Sequence, residues 1–174
     1  MNFKILIMKK ILFVLNIIFF GILSMSSQEI VDNAIGVRIG SYGSFGGEVS
    51  YQKKIDNASR AELNLGFTGY TYYNSIRATA LYQRVFDFTP LDNMNWYLGA
   101  GAGVTTWKYD NRYYYDYYDY NDSGAYFSVI GQGGVDYKFD FPLLVSFDIR
   151  SGLNFGKFDK GVFFSPGVSA RYTF

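Results

Sequence analysis

The chain has 174 residues with 16 basic and 15 acidic side chains, and it contains neither cysteine nor histidine. This length is typical of one domain, and the near-neutral charge argues against a nucleic-acid partner. The missing cysteine and histidine exclude disulfides and thiolate metal sites, and they remove most zinc sites and most nucleophile–base pairs. We therefore expect no bound metal and no cofactor.

The amino terminus is typical of a secretory signal peptide. Basic residues come first, an apolar run follows over 11–23, and small residues come after it. The run is too short to span a bilayer comfortably and no stop-transfer pattern follows, although a membrane anchor is the alternative. We expect a signal peptide at 1–26 and a mature domain at 27–174, which keeps 13 basic and 15 acidic side chains. The basic residues of the leader are Lys4, Lys9 and Lys10.

Apolar and polar side chains alternate from Ala34 to the end of the chain, in runs separated by turn residues. This period of two predicts β-strands with one apolar and one polar face. Each run is long enough to cross an outer membrane at a tilt, which takes about 9–11 residues. Aromatic residues make up 21% of the chain, which suits a barrel with aromatic girdles at both membrane interfaces. The eight predicted strands cover 34–42, 47–55, 60–70, 75–88, 95–108, 125–139, 143–155 and 162–174.

An even number of strands returns both ends of the chain to one side of the membrane, the periplasm. The connections then alternate between the two sides. The longest one falls on the external side, where such barrels keep their long loops. The predicted periplasmic turns are 56–58, 89–93 and 140–142. The predicted external loops are 43–45, 71–74, 109–123 and 156–161.

The last predicted strand has an aromatic ending. From Val168 to Phe174, apolar or aromatic side chains alternate with polar ones, and Tyr172 lies two residues before Phe174. This ending resembles the terminal signal by which outer-membrane barrels of Gram-negative bacteria are recognised for assembly. The resemblance implies that Tyr172 and Phe174 form an assembly signal, and that the outer-membrane barrel assembly machinery is a partner.

Short motifs elsewhere in the mature chain carry a wider resemblance. They are Tyr97 to Gly103, Gly134 to Phe139 with Pro142, Asp148 to Arg150, and Gly167 to Phe174. With these motifs the chain resembles the small eight-stranded outer-membrane barrels of the OmpA/OmpX-type superfamily. It is more narrowly similar to the "outer membrane protein beta-barrel" family of Bacteroidetes. The resemblance implies an all-β, eight-stranded antiparallel up-and-down transmembrane barrel, located in the outer membrane in contact with its lipid and lipopolysaccharide.

Charged residues on the polar faces of the predicted strands would meet inside such a barrel. An eight-stranded barrel is just wide enough for its own side chains, and buried charges must pair. We expect a salt-bridged plug, with a gated ion path as the alternative that the same charges would form. Gly99, Gly101 and Gly103 share the inward parity, and we expect them to leave room for arginines of neighbouring strands. The predicted interior network consists of Arg38, Glu48, Glu62, Arg77, Asp136, Lys138, Asp148, Arg150 and Arg171.

Three residues depart from the alternation. Arg84 shares the outward parity of Tyr82, whereas Leu81 and Ile130 fall on the polar face. We expect Arg84 to lie at the periplasmic interface and to extend its charged group toward water.

The long predicted loop is rich in tyrosine and aspartate. Tyrosine offers rigid, amphipathic contact area at low entropic cost, which is why binding loops favour it. We expect this loop to contact an extracellular glycan or protein. The alternative is a hairpin extended beyond the membrane, whose tyrosines pack on one another and on lipopolysaccharide. The predicted contact residues are Tyr113, Tyr114, Tyr115, Asp116, Tyr117, Tyr118, Asp119 and Tyr120.

Three functions are compatible with these features. The first is a non-enzymatic outer-membrane protein with a structural or surface-interaction role, since the enzymes of this architecture depend on a histidine that the chain lacks. The second is a small ion or solute pore. The third is a secreted soluble β-barrel that carries an apolar ligand, but such a carrier would place its charges outside and its apolar side chains inside.

Overall fold

The computed structural model describes residues 30–41, 45–70, 73–88, 91, 93–109, 122–156 and 160–174. The predicted signal peptide at 1–26 and the predicted contact residues 113–120 lie outside these ranges. Within them the chain forms eight β-strands. The strands are β1 Asn33–Ser41, β2 Phe45–Asp56, β3 Ser59–Tyr70, β4 Tyr73–Asp87, β5 Met94–Tyr109, β6 Asp122–Lys138, β7 Leu143–Phe155 and β8 Gly161–Thr173.

The eight strands form a closed antiparallel barrel in which each strand pairs with its neighbours in sequence and β8 pairs with β1. This topology confirms the predicted fold class, and every strand boundary lies within three residues of its prediction. Closure leaves no unpaired strand edge, so the backbone groups of the sheet are bonded to one another without help from solvent. No helix in the described ranges is long and apolar enough to cross a membrane.

The alternation of polar and apolar residues in the sequence places polar side chains inside the barrel and apolar side chains outside. Along β8 the polar or small side chains at 165, 167, 169 and 171 are buried, and the residues between them are exposed. Outward side chains such as Val37, Phe164 and Tyr172 are 55%, 62% and 57% exposed. Leu81 and Ile130, which the parity placed on the polar face, are 3% and 1% exposed and confirm that prediction. The exterior is therefore an apolar surface and the interior is the polar core.

The two ends of the barrel differ in their connections. The start of β1, the end of β8 and the strand ends that flank 57–58, 88–93 and 139–142 lie at one end, which we call the turn end. The strand ends that flank the longest connection, Tyr109 and Asp122, lie at the opposite end, which we call the loop end. This distribution matches the predicted alternation of short turns and longer loops.

Local hydrogen bonds explain the tight turns. Asp56 Oδ1 accepts a hydrogen bond from the Ala58 N–H at 2.8 Å, and this bond holds the pKa of the Asp56 carboxyl below its usual range. In the second turn Asn93 adopts a φ of 67°, a left-handed conformation that asparagine tolerates better than most residues. Its carbonyl then accepts the Lys138 N–H at 2.9 Å, which joins this turn to the end of β6.

Aromatic rings cluster at the turn end. Phe139 packs edge-on against Tyr137 at 4.8 Å and lies 5.2 Å from Phe141, centroid to centroid. Tyr172 and Phe174 stack with their centroids 6.2 Å apart. Rings that have an apolar body and, in tyrosine, a polar tip favour the boundary between hydrocarbon and water.

The pairing of β1 with β8 is the shortest ladder of the barrel. It joins seven residue pairs, from 34 with 173 to 40 with 167, whereas β5 and β6 join sixteen. Gly36 lies within this seam, and a Cβ atom built there would collide with the Ala170 carbonyl and the Arg171 Cα of β8. Closure therefore requires a residue without a side chain at position 36.

We predict that Gly36→Ala destabilises the folded barrel by about 1–3 kcal/mol, because the added methyl group pushes β1 away from β8. The matched control is Gly47→Ala, since a Cβ at Gly47 meets nothing within 4 Å. Urea unfolding of each variant in lipid vesicles measures the difference. Equal stability of the two variants would contradict the role given to the seam.

Candidate functional site

The barrel interior holds a neutral set of eight buried charges. Among the described residues, eight charged side chains are 6% exposed or less, and all eight lie on inward strand faces. Four are arginines and four are carboxylates, so the set carries no net charge. The arginines are Arg38, Arg60, Arg150 and Arg171, and the carboxylates are Glu48, Glu62, Asp136 and Asp148.

Arg38 of β1 forms a two-nitrogen contact with Asp148 of β7. Its Nε lies 3.0 Å from Oδ2 and its Nη2 lies 2.7 Å from Oδ1. Its Nη1 reaches Glu48 Oε2 at 3.4 Å. A cavity shaped by glycine accommodates this guanidinium, because a Cβ at Gly40 or Gly167 would overlap the Arg38 head group.

Arg150 of β7 connects the two carboxylates that contact Arg38 to a third one, Glu62 of β3. Its Nη1 donates to Glu48 Oε2 at 2.9 Å, and its Nη2 donates to Glu62 Oε1 at 2.6 Å. Its Nε lies 3.7 Å from Asp148 Oδ1. One guanidinium therefore bridges three carboxylates that belong to three different strands.

Glu62 of β3 is the residue on which most of these contacts converge. Arg150 and Arg171 approach its two oxygens at 2.6 and 3.3 Å. Side-chain amides supply the remaining donors, since a fully buried carboxylate needs its lone pairs satisfied as well as its charge neutralised. These amides are Gln52 at 2.7 Å, Gln83 at 2.8 Å and Asn64 at 3.0 Å.

Arg171 extends the network to the last strand. Besides Glu62, it donates from Nε to Ser50 Oγ and from Nη1 to Ser146 Oγ, each at 2.9 Å. Arg171 thus contacts β2, β3 and β7 from β8. The carboxy-terminal strand is held by interior side chains as well as by its backbone ladders.

Arg60 is a member of the network that the sequence prediction missed. It forms an ion pair with Asp136 at 2.6 Å, and its guanidinium carbon lies 4.6 Å above the ring of Tyr97. Its Nε also donates to Gln83 Oε1. The alternation along β3 could have predicted this position, because Arg60 lies two residues before Glu62 and shares its inward face.

Two predicted members lie outside the fully buried set. Arg77 is half-buried near the loop end, where it donates to Thr105 Oγ1 at 2.9 Å and to Tyr126 Oη at 2.8 Å. Lys138 is half-buried at the turn end, where it lines a cavity of about 230 Å³ beside Asp32 and Phe174. Both residues face inward as predicted.

The predicted role of three glycines was wrong. Gly99, Gly101 and Gly103 do not face arginines: a Cβ there would meet Gln83, the β4 backbone around Ala80, and Thr79. The sequence reveals that the inward face of β5 lacks side chains at these three positions, but the residues that fill the space follow from the tilt of neighbouring strands.

An apolar cluster closes the turn end of the interior. Ile30, which precedes β1, contacts Val85 and Tyr97, and all three are at most 4% exposed. The polar network is thus bounded at this end by side chains that offer no hydrogen bonds, apart from the hydroxyl of Tyr97. The described residues contain no cluster of acids that could hold a metal ion.

Solved structures of small outer-membrane barrels share this fold. The N-terminal β-barrel domain of Pseudomonas aeruginosa OprF matches with a TM-score of 0.63 at 14% identity, over 83% of this chain and 100% of that chain. Neisserial surface protein A (NspA) matches with 0.60 at 14%, over 82% and 94%. Ail, the attachment invasion locus protein of Yersinia pestis, matches with 0.54 at 13%, over 82% and 96%.

At these identities the similarity establishes the fold: the chain forms an eight-stranded barrel of the outer-membrane type. No protein-family model matches the chain, and none of the curated proteins does. The narrower resemblance to the Bacteroidetes family therefore stays a prediction.

We predict that Glu62→Gln destabilises the barrel by about 3–5 kcal/mol, because Arg150 and Arg171 would keep buried charges that the amide cannot neutralise. The matched control is Lys54→Ala. Lys54 pairs at 3.6 Å with Asp32, whose side chain is 77% exposed, and such surface pairs contribute about 0–1 kcal/mol. Urea unfolding in vesicles measures both. A loss in Glu62→Gln no larger than that of the control would show that the network does not depend on this carboxylate.

Proposed function

We propose that the chain is a non-enzymatic outer-membrane barrel whose role is structural or depends on surface contact. The observation that carries this proposal is the inversion of polarity, with eight charges inside and an apolar surface outside. Such an exterior requires hydrocarbon around it, since a soluble protein rarely exposes so continuous an apolar surface. The same inversion argues against a soluble carrier, because buried charged and amide side chains occupy the interior in which such a carrier would hold an apolar ligand.

The interior contacts favour a plug over a pore. Arg38, Arg150 and Arg171 extend across the lumen to carboxylates on other strands, and a barrel of eight strands leaves little space beyond its side chains. An ion that entered would have to separate buried ion pairs, each of which would then face several kcal/mol of desolvation.

Surface contact through residues 110–121 is the finer part of the proposal. Loops at the open end of a rigid barrel concentrate binding function, and this one is rich in tyrosine. The names of two similar structures, a surface protein and an attachment invasion locus protein, agree with a role at the cell surface. The proposal includes export by a signal peptide at 1–26 and assembly through Tyr172 and Phe174.

We predict that the mature chain, refolded into a planar bilayer, conducts no steady current. A heat-sensitive shift in gel mobility should first confirm that the barrel has folded. A steady, salt-dependent current that changes when Arg77 or Glu62 is neutralised would instead make the protein a pore.

We predict that deleting residues 110–121 abolishes binding to an extracellular glycan or matrix protein and leaves the heat-sensitive gel shift intact. Cells that display the intact or shortened barrel can be tested on glycan and matrix-protein arrays. A matched variant replaces the three tyrosines at 113–115 by serine and keeps the loop length. Binding that survives in both variants would exclude the loop as the contact surface.

A further inference from the structure

A groove interrupts the apolar exterior of the barrel. It has a cavity volume of about 560 Å³, within the roughly 300–1,000 Å³ of small-molecule sites. Ala80 and Ala102, which pair across β4 and β5, form its floor. The larger side chains of Tyr51, Leu65 and Phe127 form its walls. Small residues between large ones thus leave a recess along the barrel wall.

Cations are rare on this exterior. Among the described residues, the outward faces of the eight strands carry three: Lys53 on β2, Arg84 on β4 and Lys108 on β5. Lys108 lies toward the loop end. Lys53 follows Tyr51 by two residues and Arg84 follows Ala80 by four, so both lie between the groove and the turn end.

The contacts of Arg84 direct its side chain toward β3, the strand that lies between Arg84 and Lys53. Arg84 Nη1 donates to Ser59 Oγ at 3.2 Å, which draws the guanidinium to the start of β3. Ser59 is two residues from Ala61, the residue that pairs with Lys53 on β2. The nearest acid is Asp56 at 4.0 Å, and its side chain is 52% exposed. At that distance Asp56 neutralises Arg84 only in part, so the patch stays positive.

We propose that the groove and the cation pair form a binding site for one anionic phospholipid. The phosphate lies at Lys53 and Arg84, and an acyl chain extends from there along the groove over Ala80 and Ala102. The positive charges of Lys53 and Arg84 favour an anionic head group. The groove favours an acyl chain, because it is continuous with the apolar surface that faces the hydrocarbon. This inference rests on the proposed membrane location.

The position of the cations selects the leaflet. They lie toward the turn end, which the proposed topology places in the periplasm, where the phosphate layer of the inner leaflet would lie. Tyr82, between the groove and Arg84, donates its hydroxyl to Ser59 Oγ at 2.7 Å. This bond holds the ring beside β3 and places its polar tip at the level of the head group.

The test is native mass spectrometry of the refolded barrel with dioleoylphosphatidylglycerol, and with dioleoylglycerol as the lipid that lacks a phosphate. We expect one retained phosphatidylglycerol per barrel and no retained dioleoylglycerol. Lys53→Gln combined with Arg84→Gln should weaken binding about 30-fold, since each cation contributes about fivefold. Ala80→Leu, which fills the groove, should weaken binding by about threefold or more.

Two matched variants separate the site from the general lipid layer. Lys108→Gln removes the outward cation at the other end, and Ala170→Leu enlarges an exposed alanine on β8, away from the groove. Both should bind phosphatidylglycerol like the parent chain. Equal binding by all variants would overturn the inference while leaving the proposed function intact. A chain that fails to enter vesicles and shows no heat-sensitive shift would instead overturn the proposed function.

Discussion

The need to neutralise charge inside a closed barrel governs the rest of this structure. Eight strands enclose a lumen that side chains must fill, and this chain fills it with four arginines and four carboxylates. None of these side chains can reach the outside of the barrel unless the sheet opens. Each buried charge therefore needs a partner of opposite charge. Glu62, with two arginines and three amides around it, is where this requirement is met most completely.

The interior ion pairs also help to close the barrel. Arg38 joins β1 to β7, Arg150 joins β7 to β2 and β3, and Arg171 joins β8 to β3. These four contacts connect strands at the start of the barrel to strands at its end. They therefore span the seam of β1 and β8, which has the shortest ladder. Side chains thus reinforce the closure that the backbone supports least, and the proposed plug consists of the same contacts.

The exterior follows from a different requirement. Hydrocarbon accepts Val, Leu and Phe anywhere on the wall, so most of this surface carries no specificity. The outward surface departs from this uniformity at the recess over Ala80 and at the cations Lys53 and Arg84, where we propose that a lipid binds. The loop end departs from it through a tyrosine-rich connection. If the interior is plugged as we propose, the wall and the two ends are the surfaces through which the barrel acts.

The strands, their two faces and the alternation of turns and loops could all be predicted from the amino-acid pattern, because a period of two fixes which side chains share a face. That is why Glu62 and Arg171 could be assigned to the interior from parity alone. Arg60 could have been assigned in the same way. The pattern does not reveal which interior charges pair with each other, because those pairs form only once the barrel has closed. Glu62 and Arg171 are 109 residues apart, and they meet because the barrel closes with a particular tilt and register. The groove likewise needs five neighbouring strands, β2 to β6, side by side, so no single run of sequence contains it.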